Sequence, residues 1–573
     1  MRKRRLFSRP SSGADTARRG FVWGGLLLVF LAVFSYLWHQ FFLAHSKLVP
    51  SQGGIFTEAT VGQVKNLSPL QAYPTSLDQD LRQLIFAGLL KYNPTTGQVE
   101  SGLAEFKVGT DPRTYELTLK PTARFSNGKA VTVQDVIFTF EEVLQNPNFS
   151  NFALRESFEY VQMAVIDDRT VEFTLPERNT FFPSLLTVPI LPKEAFEGRL
   201  IEEVNDPDLP FNKEPIGAGP FQLKNMVSEE DGSTRIFLDR NEYFYGGKPL
   251  LEQIVLHAYP TQKHLEVNHS WPTFFSRMRF DALKDWESDL FEEYERKDFI
   301  LPQYVGFFFN LDKPIVRNLP FRKALWSSFE GHKVMEEDWE RTDSPFSFEG
   351  VETSYQTSDF VEARRLLRDN GFPYNKQQEI RTSGRGGDAV SIKVITTIQP
   401  TQYAYIIQHV ARVWEKELDI EVEVEILENE MFVTALRDRD YDVVLFGQDF
   451  SQNFDLLSPW HSSQTGKLNL SNLTREDVDG LIDEIRFSGT ESDYYALSEK
   501  LDDLVPSIIF MTPKYGFLVS KDLFGFESSF GKFWSLSQRF QGVEEWHFAQ
   551  EKDWDYKGSK IWGFLKWCVG ASS

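Results

Sequence analysis

Apolar and polar residues along the chain recur with the spacings of strands and helices. In residues 115–125 every second position is apolar, which predicts a strand with one buried face. The Asn-Gly pair at 127–128 then predicts a tight turn. Thr132 and Asp135 have the spacing of a helix capping box, and from Val136 apolar residues recur at helical intervals. A strand, a turn and an amphipathic helix are therefore expected in succession.

Strand and helix patterns alternate through the second half of the chain, from about Phe309 to Thr512. The segment 359–370 reads as an amphipathic helix that Gly371 closes at its C-terminal cap. This alternation is typical of an α/β lobe, in which helices connect neighbouring strands. Strands are predicted at 391–397, 421–427 and 441–447, with helices at 403–418 and 431–437 between them.

The N-terminus carries a long apolar segment. Residues 21–43 contain no Asp, Glu, Lys or Arg and can span a hydrocarbon core of roughly 30 Å. Seven Lys or Arg residues precede the segment and only Lys47 follows closely, so the N-terminus is expected in the cytoplasm and the body outside. A cleaved signal peptide is the alternative, but the segment is long for one and no A-x-A site follows. We therefore favour an uncleaved anchor; the lack of a nearby cysteine excludes a lipoprotein.

Length and charge limit the classes of function. The 573 residues suffice for two to four domains. The first 50 residues hold eight basic side chains and one acidic, so the rest of the chain carries 53 basic and 82 acidic side chains, a net charge of −29. So acidic a body argues against nucleic-acid binding. The single cysteine, Cys568, excludes intrachain disulfides, cysteine-based zinc sites and iron–sulfur clusters.

The sequence contains no recognisable catalytic motif, so we predict that the protein is not an enzyme and has no cofactor or metal. The Gly-Ala-Gly at 217–219 lacks the spacing of a phosphate-binding loop, and Pro220 removes a backbone donor there. No G-x-S-x-G or H-E-x-x-H occurs, and His264 and His269 have the wrong spacing for a helical metal site.

Five segments, read in order, resemble the family-5 extracytoplasmic solute-binding proteins, whose typical members are the oligopeptide-, dipeptide- and nickel-binding receptors of ABC importers. The resemblance covers about Thr57 to Phe526. Each motif alone is common, but their order is specific. The segments are FAGLLKYNPTTGQVESGLAEFKV, TYELTLKPTARFSNGKAVTVQDVIFTFEEV, GAGPFQL, LDRNEYFYGGKPLLEQIVL and FNLDKPIVRNLPFRKAL.

The resemblance implies a type II periplasmic-binding-protein fold, of the α/β class, with two lobes and an extra domain inserted in the first. Ligand would bind between the lobes, and hinge closure would present a surface to the permease. A peptide would be held as an added β-strand. The implied division is a cytoplasmic basic N-terminus (1–20), a transmembrane anchor (21–43), a linker (44–54), first-lobe segments (55–90 and 216–309), an inserted subdomain (91–215), a second lobe (310–512), a return to the first lobe (513–550) and a C-terminal tail (551–573).

The family's cleft motifs can be carried over residue by residue. The first-lobe strand before a Leu-Asp-Pro turn matches GQVKNLSP at 62–69, where Ser68 replaces the Asp. The second-lobe motif Gly-Trp-x-x-Asp matches GQDFS at 447–451, where Gln448 replaces the Trp and Ser451 replaces the Asp that pairs with a peptide's amino group. That replacement would lose a charge-assisted hydrogen bond worth roughly 1.5–3 kcal/mol. Asp449 could substitute, because alternate strand residues share a face.

These correspondences give a set of expected ligand-binding residues from both lobes. For two of them, Tyr304 and Phe307, burial in the core of the sheet is the alternative. The set is Gln63, Val64, Lys65, Tyr304, Phe307, Gln448, Asp449, Phe450 and Ser451.

The resemblance implies a membrane-anchored receptor on the periplasmic or extracellular side. We expect it to be a monomer and not to bind nucleic acid. It would capture a peptide or peptide-like solute and deliver it to the permease and ATPase of an ABC importer. The alternative is a tethered ligand sensor or assembly factor on the same fold, without transport. In the C-terminal tail, Ile561, Trp562, Leu565 and Val569 could form a helical apolar face. Such a face would dock on the first lobe in preference to a membrane surface.

Overall fold

The structure, a computed structural model, describes most of the chain as two compact units. One unit contains both ends of the chain, up to Gly53 and from His547, and the other runs from Gly54 to Trp546. The described residues are 13–568 except 72–73, 269–271, 279–289, 336–338, 352–357, 385–386, 451–456, 489–490, 527–532, 549, 555–559, 561–563 and 565–567.

In the smaller unit the two ends of the chain pack on each other. A helix spans Gly13–Ala44, and its part from Phe21 is long and apolar enough to cross a membrane. The strand Ser46–Pro50 that follows pairs antiparallel with Gln550–Trp554 over five residues. In the C-terminal tail, Phe564 is buried.

The ring of Phe564 lies against three aromatic rings of this helix. Its centroid is 5.3 Å from that of Phe34, 5.0 Å from that of Trp38 and 5.6 Å from that of Phe41. Within this unit the tail therefore packs on the N-terminal helix through Phe564; docking of the predicted apolar face on the first lobe stays a prediction. The four tail residues named from the sequence lie outside the described residues.

The larger unit is built around one mixed sheet of twelve described strands. Parallel pairing occurs at two places in this sheet, on either side of Ile55–Val61 and on either side of Ser391–Thr397. From one edge to the other, the strands are Glu421–Leu427, Ser391–Thr397, Val443–Asp449, Gln303–Phe309, Ser507–Ser520, Phe274–Met278, Ile55–Val61, Gln253–Tyr259, Thr234–Arg240 and Phe221–Ser228, while Tyr294–Ile300 and Trp339–Arg341 also pair with Ser507–Ser520.

The long strand Ser507–Ser520 runs through both halves of this sheet. The second half runs from Glu421–Leu427 to Gln303–Phe309, and the first half runs from Phe274–Met278 to Phe221–Ser228. Its first part pairs with Gln303–Phe309 and its last seven residues pair with Tyr294–Ile300. Only Leu301 and Pro302 separate those two partner strands along the chain. The chain therefore passes from one half of the sheet to the other at two neighbouring places, once at Leu301-Pro302 and once within Ser507–Ser520. Gln303–Phe309 pairs with Val443–Asp449 along its whole length. In the sheet this strand therefore lies between Val443–Asp449 and the first part of Ser507–Ser520.

The segment between Lys91 and Pro215 forms smaller sheets and short helices. Its four-stranded antiparallel sheet has the order Ala104–Val108, Thr114–Leu119, Thr170–Thr174 and Gln162–Val165. A two-stranded sheet pairs Leu90–Asn93 with Gln98–Ser101. The helices here are Val133–Ile137, which continues as a π-helix over Phe138–Leu144, and Phe152–Phe158, Phe182–Leu185 and Pro210–Lys213.

The turn and capping box predicted in this segment are confirmed. Gly128 has a φ of +84°, as the turn requires. The Thr132 N–H donates to Asp135 Oδ2 at 2.8 Å, and the Asp135 N–H donates back to Thr132 Oγ1 at 3.4 Å. Asp135 Oδ1 also accepts from the Lys193 N–H at 2.9 Å. The motif thus caps a helix and ties it to a neighbouring loop.

The alternation predicted for the second half is confirmed, with small shifts at the ends of elements. Asp359 caps a helix, and Gly371 after it has a φ of +94°. The strand expected at 441–447 runs instead from Val443 to Asp449. The core of this half surrounds Trp414, which is fully buried. The longer helices of the larger unit are Ser76–Ile85, Leu319–Ser327, Phe360–Asp369, Gln402–Leu418, Asn429–Asp438, Glu476–Ser488 and Glu491–Leu504, with shorter ones at Gln262–Asn268, Leu290–Glu293 and Pro314–Arg317.

Candidate functional site

Three of the expected ligand-binding residues lie in the core of the sheet. Phe307 is fully buried, and its ring centroid is 5.5 Å from that of Trp414. Tyr304 and Phe450 are also buried, and their rings contact each other in a tilted arrangement with centroids 5.5 Å apart. Burial raises the pKa of Tyr304 well above its usual value. Of the two interpretations of Tyr304 and Phe307, the structure supports the core, because the sheet is covered on both of its faces here.

Gln448 and Asp449 end the strand Val443–Asp449 and point to different faces of the sheet. Gln448 lies opposite Tyr304 and accepts its hydroxyl at 2.6 Å, while its own amide donates to the Leu468 carbonyl at 3.2 Å. Both polar atoms of the Gln448 side chain are therefore hydrogen-bonded within the protein. Asp449 lies opposite Gln303 and is exposed. Ser451 lies outside the described residues.

Four polar residues meet where the chain passes between the two halves of the sheet. Gln303, Tyr403, Asp449 and Tyr515 form this crossover cluster. The Tyr515 hydroxyl donates to Gln303 Oε1 at 3.2 Å, and Gln303 Nε2 is buried with no partner in the described part of the chain. Burial, and then the charge of Asp449, raise the pKa of Tyr515 to about 12. A donor left unpaired in this way can bind an acceptor of a ligand.

Tyr403 contributes a second hydroxyl to the crossover cluster. It is buried, and burial together with Tyr515 raises its pKa above the usual value. A Cβ at Gly447 would lie only 2.5 Å from the Tyr403 hydroxyl oxygen, so the close approach requires glycine. Asp449 was expected from the family's motif, whereas Gln303, Tyr403 and Tyr515 come from separate segments and were not expected. The one available signal was Gly447, which the family's motif also contains.

The expected first-lobe residues lie in the loop after the strand Ile55–Val61. Gln63 and Lys65 have exposed side chains, and Val64 is half-buried. Their backbone is fixed by the cap of the next helix. The Lys65 N–H donates to Asp78 Oδ1 at 2.9 Å, and the Gln63 carbonyl accepts from Thr75 Oγ1 at 3.0 Å. The loop thus presents two long polar side chains from a fixed backbone.

Ser68, which replaces the Asp of the family motif, has a structural contact of its own. It is buried, and its hydroxyl donates to Asn205 Oδ1 at 2.6 Å. This hydrogen bond joins the loop to the end of the inserted segment.

Contacts also join the inserted segment to the second half. The Thr180 N–H and Oγ1 both donate to the Arg486 carbonyl at 3.0 Å. The Arg178 guanidinium lies 4.6 Å from the ring centroid of Phe487. In the described ranges no group of three His, Cys, Asp or Glu side chains is placed to hold a metal ion.

Comparisons with known proteins agree on one family. Residues 98–467 match the family described as bacterial extracellular solute-binding proteins, family 5 Middle. The oligopeptide-binding protein AppA of Bacillus subtilis (strain 168) is 21% identical over 529 residues, which cover 87% of this chain and 93% of AppA. The probable ABC transporter periplasmic-binding protein SapA of Escherichia coli (strain K12) is 28% identical over 218 residues, 35% of this chain and 39% of SapA.

Solved structures show the same fold. The structure of B. subtilis AppA in complex with a nonapeptide matches with a TM-score of 0.65 and 20% identity, covering 87% of this chain and all of that one. NikZ from Campylobacter jejuni in complex with Ni(L-His) matches with a TM-score of 0.66 and 18% identity, covering 86% and 99%. This chain therefore belongs to the bacterial extracellular solute-binding proteins of family 5, which are binding proteins and not enzymes.

Proposed function

We propose that this protein is a membrane-anchored receptor that captures a peptide or peptide-like solute between two lobes and delivers it to an ABC importer. The observation that carries the proposal is the crossover cluster, in which Gln303 Nε2 is buried with no partner among the described residues, beside the Tyr515 hydroxyl and the Asp449 carboxylate. Amide and carboxylate groups of this kind suit the backbone and the amino group of a peptide. The names of AppA and SapA, an oligopeptide-binding protein and an ABC-transporter binding protein, support the ligand class and the partner.

The two proposed lobes are connected at the two places where the chain passes from one half of the sheet to the other. One crossing is Leu301-Pro302, and the other lies within the strand Ser507–Ser520, between the residues paired to each side. Two single-chain connections at one level form a hinge that a few backbone dihedrals can bend. In this division Gln303–Phe309 is part of the second lobe. The crossover cluster then lies at the hinge side of the cleft.

In the proposed complex, each lobe contributes polar groups to an extended peptide. Gln303 Nε2 would donate to a peptide carbonyl, and Asp449 would pair with the peptide's amino group in place of the family's aspartate. Gln63, Val64 and Lys65 would contact the peptide from the first lobe. Ser451, which the family's motif assigns to the cleft, stays a predicted contact of the peptide. The core residues Tyr304, Phe307 and Phe450 would shape the strand ends without contacting the ligand.

The membrane anchor of the proposal rests on the smaller unit. If a signal peptidase removed the helix Gly13–Ala44, Phe564 would lose its aromatic partners Phe34, Trp38 and Phe41. A tail that is packed on the helix favours retention of the helix in the mature protein. The body would then lie on the periplasmic or extracellular side as a monomer.

Mass spectrometry of ligands that co-purify with the full chain tests the proposal. We expect peptides within a narrow range of lengths from the wild type, and at least a tenfold smaller yield from the double variant Gln303→Leu/Asp449→Asn. The matched control is Gln378→Leu/Asp388→Asn, which changes the same two residue types at positions outside the crossover cluster. Equal peptide yields from the two double variants, or a wild type without peptide, would contradict peptide capture at this site.

Uptake of the same peptides distinguishes the receptor from the alternative of a tethered sensor or assembly factor. Cells that lack the gene should lose uptake of the co-purifying peptides if the protein serves an importer. Unchanged uptake by such cells, with peptide binding intact, would favour the sensor.

A further inference from the structure

A second cavity lies within the first half of the larger unit. It has a volume of about 180 Å3, and its described lining residues come from 69–92, 154, 187–189, 220, 244–245 and 535–544. None of these residues belongs to the crossover cluster or to the strands of the second half, so the cavity is separate from that cluster. Its volume is below the range of roughly 300–1,000 Å3 that is usual for drug-sized ligands. The cavity suits a ligand of the size of a single amino acid.

The cavity is lined by charges of both signs that do not pair with each other. Arg82, Lys91 and Glu544 all contribute to its wall. Arg82 Nη1 donates to the Pro69 carbonyl at 3.1 Å, and in the described part of the chain the guanidinium has no carboxylate partner. The Glu544 carboxylate likewise forms no ion pair there.

The carboxylate whose charge acts on Arg82, that of Asp78, already accepts hydrogen bonds from other groups. Asp78, one helical turn earlier, accepts the backbone N–H groups of Lys65 at 2.9 Å and Thr75 at 2.8 Å. Burial lowers the pKa of Arg82, with Asp78 opposing, and burial raises the pKa of Glu544, with Lys91 opposing. Each charge is thus partly dehydrated and only partly offset by its neighbour, Asp78 for Arg82 and Lys91 for Glu544, so a ligand group of opposite charge can add a direct ion pair.

The wall that carries Arg82 is fixed before any ligand binds. Its helix, Ser76–Ile85, is joined to the returning chain by the ion pair of Asp80 with Arg539, at 2.7 Å, and by the Gln83 amide, which donates to Gln541 Oε1 at 3.3 Å. Gln83 and Gln541 both line the cavity. Preorganised polar groups bind a ligand without a cost in ordering.

We infer that this cavity is a second binding site, for a small zwitterion such as a free α-amino acid. The ligand carboxylate binds Arg82, whose planar guanidinium suits two parallel hydrogen bonds. The ligand ammonium group binds Glu544. Tyr245, which also lines the cavity and whose pKa is raised by burial and by Glu544, stays protonated and can donate to the carboxylate. The site needs no contribution from the cleft.

Calorimetric titration of the full chain with glycine and L-alanine tests this inference. We expect saturable binding of at least one of the two amino acids, and binding at least tenfold weaker for propionate and ethylamine, which each carry only one of the two charges. Glu544→Gln should weaken amino-acid binding about thirtyfold, as expected when one partner of a buried charge pair is removed. Arg82→Met should do the same. The control Glu545→Gln changes the exposed neighbouring carboxylate and should have no effect.

The outcomes separate this site from the peptide cleft. Asp449→Asn should leave amino-acid binding unchanged, and Glu544→Gln should leave the yield of co-purifying peptide unchanged. Absence of saturable binding of both amino acids at millimolar concentration would overturn the inference. Equal binding by wild type and Glu544→Gln would overturn it too, as would loss of binding in Asp449→Asn. Because Glu544→Gln preserves the shape of the side chain, it keeps the test valid if Arg82→Met does not fold.

Discussion

Arg539 and Asp80 form a bidentate ion pair in the interior of the larger unit. Arg539 Nη1 lies 2.7 Å from Asp80 Oδ1, its Nη2 lies 2.8 Å from Asp80 Oδ2, and neither side chain is exposed. Glu58 completes the group, with its Oε1 2.6 Å from Arg539 Nη2. The returning chain is joined at this point to the strand Ile55–Val61 and to the helix Ser76–Ile85.

Replacing Arg539 by methionine should destabilise the protein strongly. The buried carboxylates of Glu58 and Asp80 would lose the counter-charge of Arg539, and removal of one partner of a buried ion pair costs about 3–5 kcal/mol. Burial already raises the pKa of Glu58 despite the opposing charge of Arg539. Urea unfolding should show the loss.

The control for this prediction restores neutrality. The triple variant Arg539→Met/Glu58→Gln/Asp80→Asn removes the uncompensated charges and should recover part of the free energy of unfolding. A loss below about 1 kcal/mol in Arg539→Met would show that water reaches the carboxylates, contrary to the buried pair.

Asp502 should make the protein less stable as the pH rises from about 4 to 6. Burial, and then the charges of Asp343, Asp503 and Glu499, raise its pKa to about 6, against about 3.9 in an unfolded chain. The folded state therefore binds more protons in this window, so protonation stabilises it at low pH and the stabilisation is lost as pH rises through 6. After allowance for partial solvent exposure the effect is about 1–2 kcal/mol.

Asp502→Asn should remove this dependence. The variant should be more stable than the wild type at pH 7 by about 1–2 kcal/mol and nearly as stable at pH 4, which thermal unfolding across the pH range measures. The control Asp483→Asn changes an exposed carboxylate and should leave the profile unchanged. The same slope in wild type and Asp502→Asn would assign the pH dependence to another group.

Gly447→Ala should disturb the crossover cluster through Tyr403. The new Cβ would lie 2.5 Å from the Tyr403 hydroxyl oxygen, so the ring or the strand must move. Overpacking of this kind costs about 1–3 kcal/mol. Tyr403→Phe in the same chain removes the clashing oxygen and should recover most of the loss. Failure of this rescue, measured by urea unfolding, would locate the clash elsewhere.

The elements that the sequence predicted best are those fixed by neighbouring residues. The Thr132–Asp135 box and the turn at Gly128 depend on residues within about one helical turn, so their chemistry is visible in the sequence. The alternation of strands and helices in the second half is local in the same sense. The resemblance then supplied the family, which the match over residues 98–467 confirms.

What the sequence missed depends on pairing between distant segments. Whether Phe307 faces ligand or core is decided by which strands flank it, and period-two alternation gives no answer for a strand that is covered on both faces. Gln303, Tyr403 and Tyr515 become neighbours only through the register of three strands and a helix. A family motif identifies one member of such a cluster, and the other members can be identified only from the structure.

Thr180→Val should speed release of a bound peptide if the lobes close as proposed. The Arg486 carbonyl lies in the last turn of its helix, where carbonyls lack intrahelical partners, and Thr180 Oγ1 donates to it at 3.0 Å. Loss of one such hydrogen bond costs about 0.5–1.5 kcal/mol, or roughly a two- to tenfold faster dissociation. Stopped-flow fluorescence with a labelled peptide measures the rate. Thr187→Val, which removes a hydroxyl bonded within the same segment, should leave the rate unchanged.

Phe564→Ala should release the C-terminal tail from the N-terminal helix. The buried ring contacts Phe34, Trp38 and Phe41, and its removal costs about 3–5 kcal/mol of local packing in a well-ordered core. Limited proteolysis of the full chain in detergent should then cut the tail at least tenfold faster than in the wild type, while the melting temperature of the larger unit stays the same. The exposed Phe524→Ala serves as the control. Intact mass of the mature wild type should include the helix Gly13–Ala44, because the tail needs that helix as its partner; a mass that begins after residue 44, or equal cleavage rates in Phe564→Ala and wild type, would refute the packing of the tail on a retained anchor.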